Sequence, residues 1–197
     1  MKVGLTGGIG SGKTSVCRIF ESFGIPVFDA DLAAKQLYEQ PEIKLWLKEN
    51  IAEEVITENN TVDKKRLAQI IFNDASKMSL IASKIHPLVA ANFDEWAAAQ
   101  SDKPYVIYEA AILFETGRYK LLDKTILVTA PESIRVQRVI QRDNMSAAEV
   151  YERMRKQWDD SQKTSLADFV INNTDWTETV RQTQDIHQTI LSEIASH

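Results

Sequence analysis

The sequence predicts an α/β fold, with short parallel strands covered on both faces by helices. Three observations predict it: short apolar runs closed by turn residues, helical periodicity between those runs, and a glycine-rich turn straight after the first of them. Residues 2–6 form the first strand, and 13–23 have helical spacing with Val16, Ile19, Phe20 and Phe23 on one face. Gly24 closes that helix and 25–28 read as a second strand, followed by Asp29-Ala30-Asp31. From 32 to about 100 the pattern is helical and reads as an insertion. Within it, Pro41 suits a first helical turn and Asp63 an N-cap, while Pro87 marks a break between two helices. Residues 105–108 and 125–129 are buried strands, and 131–142 are helical. Ser146 with Glu149 predicts a capping box, 169–171 a last strand, and Asp175 or Thr177 the start of the final helix.

The 197 residues carry 28 acidic and 23 basic side chains, a net charge of −5. An acidic balance argues against nucleic-acid and membrane-surface partners, because both recruit a basic excess. No window approaches ~18 uninterrupted apolar residues, and the amino-terminal apolar run is too short for a secretory leader. Cys17 is the single cysteine, which leaves no disulfide framework and no cysteine metal site. The expected setting is cytoplasmic, and the expected form is one domain over 1–197, monomeric or a small homo-oligomer.

Gly7-Gly8-Ile9-Gly10-Ser11-Gly12-Lys13-Thr14 satisfies G-x-x-x-x-G-K-[ST] in full, between a predicted strand and a predicted helix. Glycines let the backbone curl until successive N–H groups face phosphate oxygens, and the helix beginning near Lys13 aims its positive end at the same anion. Residues 8–14 are therefore the expected ATP cradle. Lys13 reaches the β- and γ-phosphates, and the Thr14 hydroxyl ligates Mg²⁺. A dinucleotide-binding turn is disfavoured, because Lys13 stands where G-x-G-x-x-G needs its third glycine.

Other residues suggest chemistry less strongly. Asp29 and Asp31 follow the second strand, where ligands bind in open α/β sheets, but aspartate is also a favoured helix cap. Glu109 ends the third strand, where an acid can join the Mg²⁺ shell through water. Glu115 follows six residues later. Arg135, Arg138 and Arg142 share a helix face, and Arg153, Arg155, Lys156 and Lys163 come after them. Such arginines can close over a triphosphate, although a charge-rich helix pair is more often a solvated face. His86, beside Pro87, reads as structural. Trp46, Trp96, Trp158 and Trp176 read as core or groove filler, and Cys17 as a small buried hydrophobe.

Taken together, these residues resemble the dephospho-coenzyme A kinase family over nearly the whole chain. The resemblance rests on residues 3–14, on Val27-Phe28-Asp29-Ala30-Asp31, His86-Pro87, Leu113-Phe114-Glu115 and Gln141-Arg142-Asp143, and on Ala167-Asp168 with Val170-Ile171-Asn172-Asn173. Two departures stand out: Ala111 where the family usually has proline, and Ser161 where it tends to carry glutamate. The resemblance implies a P-loop kinase fold with a five-stranded parallel core, a helical acceptor-binding region and a mobile lid at about 138–163. It implies transfer of the ATP γ-phosphate to the ribose 3′-hydroxyl of dephospho-coenzyme A. Asp31 then becomes the base and Arg142 the leading lid arginine, with Arg138 on the ATP side and Asn173 a contact near the adenine of ATP. His86 and Glu115 would join Asp31 on the acceptor side. The rivals are another small-molecule or nucleoside monophosphate kinase of this fold, and a nucleotide-dependent switch. The chain lacks the Asn-Lys-x-Asp motif of a guanine-reading switch.

Overall fold

A computed structural model describes residues 1–196. They divide into two compact units, one formed by 1–29 with the described residues from 97 onward and the other by 30–96.

The first unit is built on a five-stranded, all-parallel sheet in the order β2-β3-β1-β4-β5. Its strands are β1 (Lys2–Thr6), β2 (Val27–Asp29), β3 (Val106–Glu109), β4 (Lys124–Thr129) and β5 (Phe169–Asn172). Each lies within two residues of its expected limits. Parallel strands need crossover connections, and α1 (Lys13–Ser22), α6 (Glu132–Asp143) and α9 (Trp176–Ala195) flank the sheet. Val16 and Phe20 of α1 are buried with Val3 and Leu5 of β1, Ile107 of β3, and Ile186 and Ile190 of α9. That core fixes where β1 ends and α1 begins, and so where the turn between them must lie. The capping box at Ser146 opens α7 (Ala147–Met154), and a second one at Asp159 opens the short α8 (Asp160–Thr164). Asp175 caps α9.

The second unit is helical, with α2 (Ala30–Leu37), α3 (Pro41–Asn50), α4 (Lys64–Asn73) and α5 (Ala75–Ala98). Asp63 caps α4 as expected, accepting from the Arg66 N–H at 2.9 Å. The expected break at Pro87 does not occur, and α5 runs through it unbroken. Proline there forfeits one backbone hydrogen bond. However, Ile81, Ile85, Val89 and Phe93 form one continuous buried stripe at four-residue spacing, which holds the helix together on both sides.

Of the tryptophans expected to fill the core or a groove, Trp158 is 41% exposed and lines an open cavity, whereas Trp176 is 56% exposed and fills no core. Trp46 and Trp96 are half-buried, and Trp96 stacks on Phe93 with ring centroids 6.1 Å apart.

Candidate active site

The turn between β1 and α1 is a phosphate loop in geometry as well as in sequence. Gly12, the N-cap of α1, has φ 91°, a left-handed conformation that a side chain would strain. A Cβ there would also collide with the Asn173 amide. The helical ladder of α1 starts with the Ser15 N–H donating to the Gly12 carbonyl at 3.0 Å, so the Lys13 and Thr14 N–H groups ahead of it, with the positive end of the helix dipole, are available to an anion. Lys13 folds back over the loop, its Nζ donating to the Gly7 carbonyl at 3.2 Å and lying 3.7 Å from Glu109.

Three side chains brace the loop from beneath. Arg135 of α6 is 8% exposed. It donates through Nε to the Ile9 carbonyl at 3.0 Å and pairs with Asp160 at 3.0 Å. Asp160 also accepts the Thr129 hydroxyl. Gly8 packs so closely on the Arg135 guanidinium that a methyl group would not fit. Asn173, just beyond β5, donates to the Ser11 carbonyl at 2.8 Å and accepts the Thr179 hydroxyl at 3.1 Å. Its own N–H donates to the Thr129 carbonyl at 2.8 Å. Arg138 reaches the Ser11 carbonyl at 3.5 Å. Asn173 and Arg138 thus both meet the loop backbone at Ser11, and the Asn173 amide is engaged there.

Glu115 accepts the Trp158 N–H at 3.0 Å and pairs with Lys163, 0% exposed, at 3.0 Å. Here its carboxylate anchors the segment after α7. Arg142 ends α6 exposed and bidentate to Asp143, with contacts of 2.7 and 2.8 Å, and is not drawn to the loop. Asp143 raises its pKa still further. In the second unit, Asp31 lies in the first turn of α2, two residues beyond the end of β2, and His86 is exposed on α5. Cys17 is buried in α1, and burial pushes its thiol pKa far up, with Glu109 adding to the effect. It is therefore no nucleophile.

Sequence reasoning passed over Gln157 and gave Arg135 no special weight. Gln157 accepts the Ile9 N–H at 2.9 Å. The signal for Arg135 was its spacing from Arg138; Gln157 left no local signal, since its partner is 148 residues away.

Comparison with known proteins decides the family. A dephospho-CoA kinase (CoaE) family model matches residues 1–178. The chain belongs to the dephospho-CoA kinase family. The family member from Chlorobium chlorochromatii is 33% identical over 97% of this chain and 94% of its own. The Bacteroides fragilis enzyme is 35% identical over 88% and 84%. Among solved structures, TT1252 from Thermus thermophilus superposes with a TM-score of 0.88 at 31% identity, covering 96% of each chain. Dephospho-CoA kinase from Campylobacter jejuni gives 0.72 at 25%, covering 98% of this chain and 99% of that one. Shikimate kinase from Acinetobacter baumannii, with a TM-score of 0.53 at 17% identity over 98% and 93%, shares the fold alone. As a dephospho-CoA kinase the chain is a phosphotransferase that takes ATP and a small-molecule acceptor.

Proposed function

We propose that the chain transfers the γ-phosphoryl group of ATP to the ribose 3′-hydroxyl of dephospho-coenzyme A, giving coenzyme A and ADP, with residues 8–14 holding the donor and Asp31 orienting and deprotonating the acceptor. The observation that carries this reading is the braced phosphate loop, its Lys13 already turned toward the loop's own start. Phosphoryl transfer asks little covalent chemistry of a protein. Positioning and charge stabilisation supply most of the rate. The loop N–H groups and Lys13 meet charge on the phosphates, and Arg138, which reaches the Ser11 carbonyl, would add positive charge on the ATP side. Arg142 must exchange Asp143 for the phosphates as the lid moves, which makes it the arginine that closes the site. Asp31, following β2, takes the proton as the hydroxyl attacks in line.

A magnesium ion fits the donors present. Mg²⁺ keeps several waters and phosphate oxygens, so it needs only one or two protein oxygens. The Thr14 hydroxyl in the first turn of α1 and the Glu109 carboxylate, through water, would hold it. When bound, the ion neutralises charge on the β- and γ-phosphates. On the acceptor side, His86 would line the binding region and Glu115 would shape the neighbouring loop through Lys163. A cytoplasmic setting and a monomer or small homo-oligomer complete the reading. Among the described residues no helix is long and apolar enough to cross a membrane.

Asp31→Asn tests the base directly. Under saturating substrates its turnover should fall about 100-fold or more with the fold intact, as loss of a general base predicts. Near-normal turnover would remove Asp31 from that role.

A further inference from the structure

Gln157 lies in the stretch between α7 and α8, yet its carboxamide enters the phosphate loop. Its Oε1 accepts the Ile9 N–H at 2.9 Å, and its Nε2 lies 3.5 Å from the Ala111 carbonyl. The Ile9 N–H can serve one strong acceptor at a time. A phosphate oxygen is likewise only an acceptor, so phosphate and Gln157 compete for that donor. The competing phosphate can be named from Lys13. This lysine serves the β- and γ-phosphates, and its Nζ lies at the Gly7 carbonyl, so the loop's start is the γ end. Ile9 is two residues from Gly7.

A carboxamide differs from a carboxylate in carrying donors as well as an acceptor, and half a turn of its terminal torsion exchanges them. There is room for this, because Gln157 lines an open cavity of about 480 Å³ together with Trp158 and Arg135. We propose that Gln157 is a positioning residue for the terminal phosphoryl group of ATP. Its carbonyl holds the Ile9 N–H until ATP binds; the amide then turns, the phosphoryl oxygen takes the N–H, and Nε2 donates to the same group. The exchange links the loop to the segment behind α7, since the next residue, Trp158, donates its N–H to Glu115, which in turn pairs with Lys163. ADP, lacking that group, leaves Gln157 in place. This inference rests on the ATP reading of the loop given above.

The test is nuclear magnetic resonance of the full chain, following the Gln157 side-chain amide and the Ile9 backbone amide with Mg²⁺ present. One titration uses ADP and the other a non-hydrolysable ATP analogue. Both nucleotides should shift the amides of Gly10 to Thr14, while only the analogue shifts the Gln157 side chain. In parallel, Gln157→Ala and Gln157→Glu should each lower kcat about tenfold or more, with KM for the acceptor within about twofold, because the lost contact belongs to the transferring group. Equal Gln157 shifts with both nucleotides, no shift with the analogue, or an unchanged kcat would overturn the role of Gln157. Absence of any loop shift with either nucleotide would overturn the ATP reading itself.

Discussion

At the scale of single residues, the loop works because buried neighbours leave its backbone little freedom. Arg135 is the clearest case. Its guanidinium meets the Ile9 carbonyl, Asp160 and the face of Gly8 together. Arg135→Ala would strand Asp160 in a half-buried position and open the floor of the loop. Losing charge-assisted hydrogen bonds of this kind costs about 1.5–3 kcal/mol, so denaturant unfolding should show a loss of that order, together with weaker nucleotide binding. Cys17 gives a simpler test. Buried and held as a thiol, it should react with a thiol reagent only after denaturation, and rapid labelling of the folded chain would contradict its placement. The glycine-rich turn between β1 and α1, with Lys13 folded back over it, was legible in the chain itself. Gln157, Lys163 and the bracing role of Arg135 were not, because their partners lie across the fold and nothing local marks them.

At the scale of elements, hydrophobic period and caps proved readable. The five strands, the Ser146 capping box and the Asp175 cap all follow local rules. Pro87 misled because a local breaker was outweighed by a stripe of buried apolar residues along α5. The packing of α9 on the sheet yields a pH prediction. His187 of α9 lies 2.6 Å from the Tyr105 hydroxyl through Nδ1 and stacks on Phe23 at 4.9 Å. Burial lowers the His187 pKa from its ordinary 6.5. The unfolded chain therefore binds a proton more readily, and the stability from neutral His187 is present above about pH 6.5 and declines below it. The melting temperature should fall from pH 7.5 to 5.5 more steeply in the natural chain than in His187→Gln. Parallel curves would show that His187 does not carry the effect.

At the scale of the whole molecule, acidic charge and anionic substrates are reconciled by distribution. From Asp29 to Glu58 the chain carries eight acids against three lysines, while Lys13, Arg135 and Arg138 gather at the loop. The helical stretch expected at 32–100 is a compact unit of its own, from Ala30 to Trp96. Fold and family were therefore legible in sequence, since both are written in motif order and period. Loss of Lys13 should confirm that the loop serves catalysis beyond folding: Lys13→Met should retain the melting temperature within a few degrees and lose turnover by about 100-fold or more.

Acceptor identity is read directly from ADP release by the purified protein from ATP and Mg²⁺, with dephospho-coenzyme A, AMP, CMP or shikimate supplied in parallel. Strong stimulation by dephospho-coenzyme A, with the other three near background, is the predicted result; stimulation by AMP, CMP or shikimate with none by dephospho-coenzyme A would contradict it.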